Sequence, residues 1–359
     1  MRNDSMGSTV MRRERKWLVA GIASAVLLGA SGCSAEGGWQ EPDKGQAAVL
    51  LKAEAGAKGV AWLAFGGSPD GLAAGPDGAV YGSGAALAEI TKDRKARHIL
   101  EDEVHGTGGL VVLSRNAFVV GKREHILRIT ADGAQTVLAG ASGAPRKSGQ
   151  AVPKSVPAKE VHFGTALAKP FGTRPDGSIL ITDNDVVWQL KDGRLTRVYQ
   201  VTADSAGGSE PSVGTTGTVD RAGTVYVAPR SSKKEATLGN IVTVRQGGTV
   251  GKVALPKRVA EVGESLASLN VSWMTGDGGD GIYVHAYGKS GSYVIHLESG
   301  RAQAVAKAPE RIGSGKECKE GNPVDALDLP CFMPTALVYS SGSLILAGDA
   351  SYVLKIPVK

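Results

Sequence analysis

Residues 170–190 read PFGTRPDGSILITDNDVVWQL. Pro175-Asp176-Gly177 is a turn signal: proline presets φ, aspartate bonds its own backbone two residues on, and glycine takes positive φ without strain. The run SILIT after it and the run VVWQL beyond Asn184-Asp185 are short and β-branched, the composition of strands. Lys191-Asp192-Gly193 then turns the chain into RLTRVYQ. Runs joined by turns of this kind form hairpins, so the stretch predicts a small antiparallel sheet.

The unit recurs. Its first turn stands at Pro76-Asp77-Gly78, Arg115-Asn116, Pro175-Asp176-Gly177, Arg221-Ala222-Gly223, Gly279-Asp280-Gly281 and Ser341-Gly342. Second runs follow at once (AVYGS, AFVVG, SILIT, TVYVA, GIYVH, SLILA), and then third runs (LAEIT, ILRIT, VVWQL, IVTVR, YVIHL, YVLKI). Six such units predict an all-β fold over 47–359: a six-bladed β-propeller of four-stranded antiparallel blades. The sixth unit stops at YVLKIPVK with three runs, whereas AAVLLK at 47–52 belongs to no unit. An open ring would expose strand edges. The N-terminal run is therefore expected to close the last blade as its outer strand.

Over 126–190, ILRITADGAQTVLAG followed by the opening stretch resembles the NHL-repeat type of propeller. In that type a Gly-ended outer strand leads through a polar loop to a Pro-Asp-Gly turn and an acidic or amide-bearing corner. Asp183 matches the corner. Gly84, Lys122, Pro229, Ala286 and Gly348 stand at the corresponding places of the other units, so the family's function does not carry over as a whole.

Upstream, WLVAGIASAVLLGASGC (17–33) follows Arg12, Arg13, Arg15 and Lys16. A basic start, an apolar run shorter than the roughly 20 residues of a membrane span, and small residues make a secretory signal peptide, here 1–32. Ala-Ser-Gly-Cys resembles a bacterial lipobox. That resemblance implies a diacylglyceryl group on Cys33, a lipoprotein at the outer face of the cell membrane, and a flexible tether over 33–46. An uncleaved anchor or an ordinary N-terminal helix is the alternative, and Arg12-Arg13 leaves the twin-arginine route open.

The chain of 359 residues carries +6, and loss of the leader's five basic and two acidic residues leaves +3. No clustered basic stripe with stacking aromatics points to nucleic acid. Of three cysteines, Cys318 and Cys331 remain after Cys33, and an oxidising compartment makes a disulfide the expectation. Two thiols holding a metal are the alternative.

In a propeller, the loops from strand two to three and from blade to blade share one face. Long connections fall there: 141–169, 230–239, 256–269 and 309–334. This loop-rich face is the expected ligand face. His105, His125, His162, Asp183, Asp185 and His285 are its candidate residues. The main reading is a monomeric recognition module for a protein, glycan or small ligand, with no cofactor. The alternative is a lactonase-like hydrolase or lyase holding calcium or zinc at the channel mouth. The Asp-Gly turns are read as turn chemistry, not calcium loops. The basic groups Lys122-Arg123 and 230–234 are read as solubilising charge.

Overall fold

A computed structural model describes residues 39–52, 71–84, 86–91, 94–100, 107–164, 168–202, 211–213, 217–231, 235–309, 318, 321–331, 333–348 and 352–359. Six antiparallel sheets carry the fold, and in blades one, two, four and five the strand order follows the chain. Blade one is Gly71–Ala74, Val80–Ser83, Leu87–Ile90 and Ala96–Leu100; blade two is Thr107–Ser114, Ala117–Lys122, His125–Thr130 and Gln135–Ala139. Blade three is Lys169–Thr173, Ile179–Asp183, Val186–Lys191 and Arg194–Gln200; blade four is Gly217–Val219, Val225–Val227, Val242–Val244 and Val250–Lys252. Blade five is Asn270–Gly276, Ile282–Gly288, Gly291–Glu298 and Arg301–Ala308. Blade six has Ala336–Ser340, Ser343–Ala347 and Tyr352–Pro357, and its fourth strand is Gln46–Lys52, antiparallel to Tyr352–Pro357. The inner strands touch in the order one to six and back to one, so the ring is closed.

The core is divided, and the division explains the runs. Among the described residues, buried apolar side chains form six clusters, one between each pair of neighbouring blades. Both faces of a blade are covered, so its strands read as nearly continuous apolar runs rather than alternating ones. Ile179 and Ile181 pack toward blade two, while Leu180 between them packs toward blade four. Neighbouring blades approach closely at their inner edges. A Cβ on Gly109 would stand 2.4 Å from the Pro170 carbonyl oxygen, at φ +69. Only glycine tolerates both.

The first turns are built as read. Asp77, Asp176, Asp220 and Asp277 each accept a backbone amide of their own turn, from Ala79 (3.2 Å), Ser178 (3.1 Å), Thr224 (2.8 Å) and Gly279 (2.6 Å). The second carboxylate oxygen ties the turn to a neighbour: Arg115, Lys191 (2.9 Å), the Tyr226 hydroxyl (3.1 Å) and His296 Nε2 (2.9 Å).

Two features go beyond the sequence reading, and a third is the disulfide it expected. The long connections reach the outer rim: Ser155–Pro157 pairs with Arg194–Gln200 as a fifth strand of blade three, and Val324–Asp325 pairs with Gln46–Lys52 in blade six. They cover part of the outer edge of blades three and six, at 194–196 and 46–47. Second, packing against the ring begins by Trp39, inside the expected tether: Pro42 is buried, Glu41 pairs with Lys355, and Arg94 lies 5.1 Å from the Trp39 ring centre. Third, Cys318 and Cys331 are joined, with Cα atoms 5.0 Å apart. Both are buried in the cluster between blades five and six that also holds Ala47 and Val49 of the closing strand. A loop of this length contributes about 3 kcal/mol in the chain-entropy model, here applied beside the seam of the ring.

Candidate functional site

The six inner strands surround an axial cavity of about 430 Å³. Its wall is mostly glycine and aliphatic residues, with Phe171, Trp273 and Tyr339 as its aromatic members. Lys169, Asp220 and Arg221 are its charged members. Asp220 is spent on its own turn and on Tyr226. Lys169, at the start of the inner strand of blade three, is half-buried and makes no ion pair among the described residues. It is a cation held at a concave wall without a counter-charge among the described residues, which favours an anion there.

The sequence-derived face residues fall into separate places. Asp183 and Asp185, at the corner of blade three, are buried to 1% and 0% exposure. Arg146, from the long connection before that blade, reaches them: its Nη2 lies 2.6 Å from Asp185 Oδ1 and 3.6 Å from Asp183 Oδ2. The Gly164 amide (2.6 Å) and the Trp188 indole (3.2 Å) donate to Asp183. The Gly149 amide (3.0 Å) and Gln200 (2.9 Å) donate to Asp185. Burial pushes the Asp183 carboxyl above its ordinary range, against Gly164, Arg146 and Trp188, which pull it down. The two aspartates thus pin the connection 141–164 to the corner and present no open oxygen to the channel.

His125 is half-buried, with its Nε2 3.9 Å from Glu124. His162 is exposed, and the two flank the segment 140–143, close to the backbone of Gly140 and Gly143 respectively. His285 does not end its strand as expected. The second strand of blade five runs on to Gly288, which leaves His285 in mid-strand, 1% exposed and opposite Trp273. The sequence reading ended the run GIYVH at His285. The hydroxyl of Ser272 contacts His285 Nδ1 and also donates to the His285 carbonyl at 3.3 Å. Neither residue lines the axial cavity. Cys33, the leader and His105 lie outside the described residues.

A divalent ion at the channel mouth needs several carboxylate or imidazole ligands converging there. Among the described residues, no three of His, Cys, Asp and Glu come together in that way. Among the described residues the cavity wall offers only Asp220 as a carboxylate, and it is engaged elsewhere. The described residues do not fit such an ion.

The sequence reading missed Lys169, Phe171, Trp273 and Tyr339. The available signal was position: each lies on the run just before a first turn, which forms the innermost strand.

No protein-family model matches the sequence, and no curated protein matches it either. Solved structures share its fold. A protein of unknown function from Bacteroides thetaiotaomicron aligns with a TM-score of 0.54 at 14% identity, over 86% of this chain and 75% of its own. A gluconolactonase from Xanthomonas campestris aligns with a TM-score of 0.51 at 15% identity, over 87% of this chain and 89% of its own. At such identities the likeness is one of fold: a closed, six-bladed, all-β propeller.

Proposed function

We propose that this chain is a recognition module of the bacterial cell envelope, lipid-anchored through Cys33, whose axial channel takes a small ligand bearing an anionic group. The observation that carries the reading is Lys169, a half-buried ammonium without an ionic partner among the described residues, on the wall of a cavity bounded by all six inner strands. A carboxylate or phosphate would pair with Lys169 while Phe171 and Trp273 cover the apolar part of the ligand. The opposing reading, a metal-dependent hydrolase or lyase, has a gluconolactonase among the fold's members. It lacks a ligand set among the described residues.

Two experiments test the proposal. Titration of the full chain with phenylacetate and phenyl phosphate should give saturable binding to one of them. Lys169→Glu should abolish it without lowering the melting temperature by more than a degree or so. No binding of either probe, or equal binding by the variant, would overturn the channel reading. For the anchor, Cys33→Ser should move the protein from the membrane fraction to the soluble one, because a single thiol carries the acyl chains. A variant that stays membrane-bound with its leader processed as before would refute lipidation.

A further inference from the structure

We propose that the cleft between the first and last blades is a second site, independent of the channel, for a neutral oligosaccharide. The cleft has a volume of about 580 Å³, within the range of small-molecule sites. Leu50, Val80, Ile90 and Ile345 supply its apolar part, and Trp39 stands beside them.

Its charges are already matched. Glu41 pairs with Lys355, Asp77 with Arg115 and Glu89 with Arg97. An ionic ligand would have to break a pair, whereas a neutral one would not. What remains open is a mixture of donors and acceptors. The Trp39 Nε1 is buried and has no hydrogen-bond partner among the described residues. Glu89 is bound by Arg97 through one oxygen, Oε2, and Glu41 by Lys355 through one, Oε1. A carboxylate has about four acceptor sites, so each keeps capacity for a ligand. Ser341 and Ser343 add hydroxyls.

A pyranose ring answers both halves of this wall. Its C–H face suits an indole and aliphatic side chains, and its hydroxyls donate and accept at once. A peptide strand fits less well, because binding by strand addition needs an exposed edge. The edge of Tyr352–Pro357 is taken by Gln46–Lys52, whose own outer edge is covered at Gln46 and Ala47 by Val324–Asp325.

The test is calorimetric titration of the full chain with maltotetraose and with chitotetraose. One of them should bind with a millimolar or tighter dissociation constant. Trp39→Ala should weaken binding at least tenfold, Trp39→Phe should retain most of it, and Glu89→Gln should weaken it severalfold. Lys169→Glu should leave it unchanged, which separates this site from the channel. Trp39→Phe keeps the test valid if Trp39→Ala lowers stability. The proposal is overturned if neither sugar binds at millimolar concentration. It is also overturned if a folded Trp39→Ala variant binds as tightly as the parent, or if a neutral tetrapeptide binds and the sugars do not.

Discussion

Deletion of 47–52 will abolish cooperative unfolding of the domain, or lower its melting temperature by roughly 15 °C or more. The segment is the whole fourth strand of blade six apart from Gln46, and it pairs with Tyr352–Pro357 from Ala48↔Lys355 to Lys52↔Tyr352. Ala47, Ala48 and Val49 are buried, and Leu50 and Leu51 pack against the cluster between blades six and one. At about 25 cal/mol per Å² of apolar surface, loss of these side chains costs about 5 kcal/mol, before the unpaired edges are counted. Whole domains are stable by about 5–15 kcal/mol. Removal of 35–44, read from the sequence as part of a tether, should give an intermediate loss because Trp39, Glu41 and Pro42 pack against the ring. Thermal and urea melts of the two truncations decide the matter. Equal melting temperatures would mean that the ring does not depend on this strand.

Arg146→Met will destabilise the domain by about 3–5 kcal/mol, the cost of breaking a buried ion pair from one side. The arginine side chain is 9% exposed and the two aspartate side chains 0%. Asp185→Asn alone should cost less, and the double variant should lose about 1–3 kcal/mol less than the two single losses combined. The deficit should also depend on pH in a definite direction. The folded Asp183 carboxyl titrates above its unfolded value. The native state therefore holds that proton more tightly, and the stability gained from it is present at low pH and lost as pH rises through the folded pKa. Loss of Arg146 removes a charge that pulls this pKa down. The variant should recover part of its deficit as pH is lowered from neutral through the acid range. Urea midpoints measured across that interval check the sign. A deficit independent of pH, with additive single losses, would mean that the three side chains do not act as a unit.

The propeller was legible because its code is local. Each Asp-Gly or Gly-Gly hairpin requires particular residues at particular backbone angles, and positive φ at Gly78, Gly177 and Gly223 marks three of the first turns. The closing strand came from a count: one run lacked a unit and one unit lacked a run. Ser155–Pro157 could not be found in that way. SVP has no strand signature of its own, and its pairing is decided by the rim it lies against. Asp183 and Asp185 looked like candidates for a ligand because their charges are visible in the sequence. Arg146 lies 37 positions before Asp183, and its arrival at that corner depends on the path of a long connection. The channel was hardest to read. Its walls are short inner strands such as Gly217–Val219, where close approach of the blades favours small residues and leaves little pattern.

The pairing of Gln46–Lys52 with Tyr352–Pro357 also orders events during synthesis. Lys52 and Tyr352 are partners, yet about 300 residues separate them. At about 5–20 residues per second, the first strand leaves the ribosome roughly 15–60 s before its partner. Throughout that interval Ala47, Ala48 and Val49 have no sheet to join, and blade one has no last blade to lean on. Five blades can form in sequence as their hairpins emerge, but none of them closes the circle. The final strand acts as a timer: the nascent chain remains adhesive, and in need of shielding, until almost its last turn has been made.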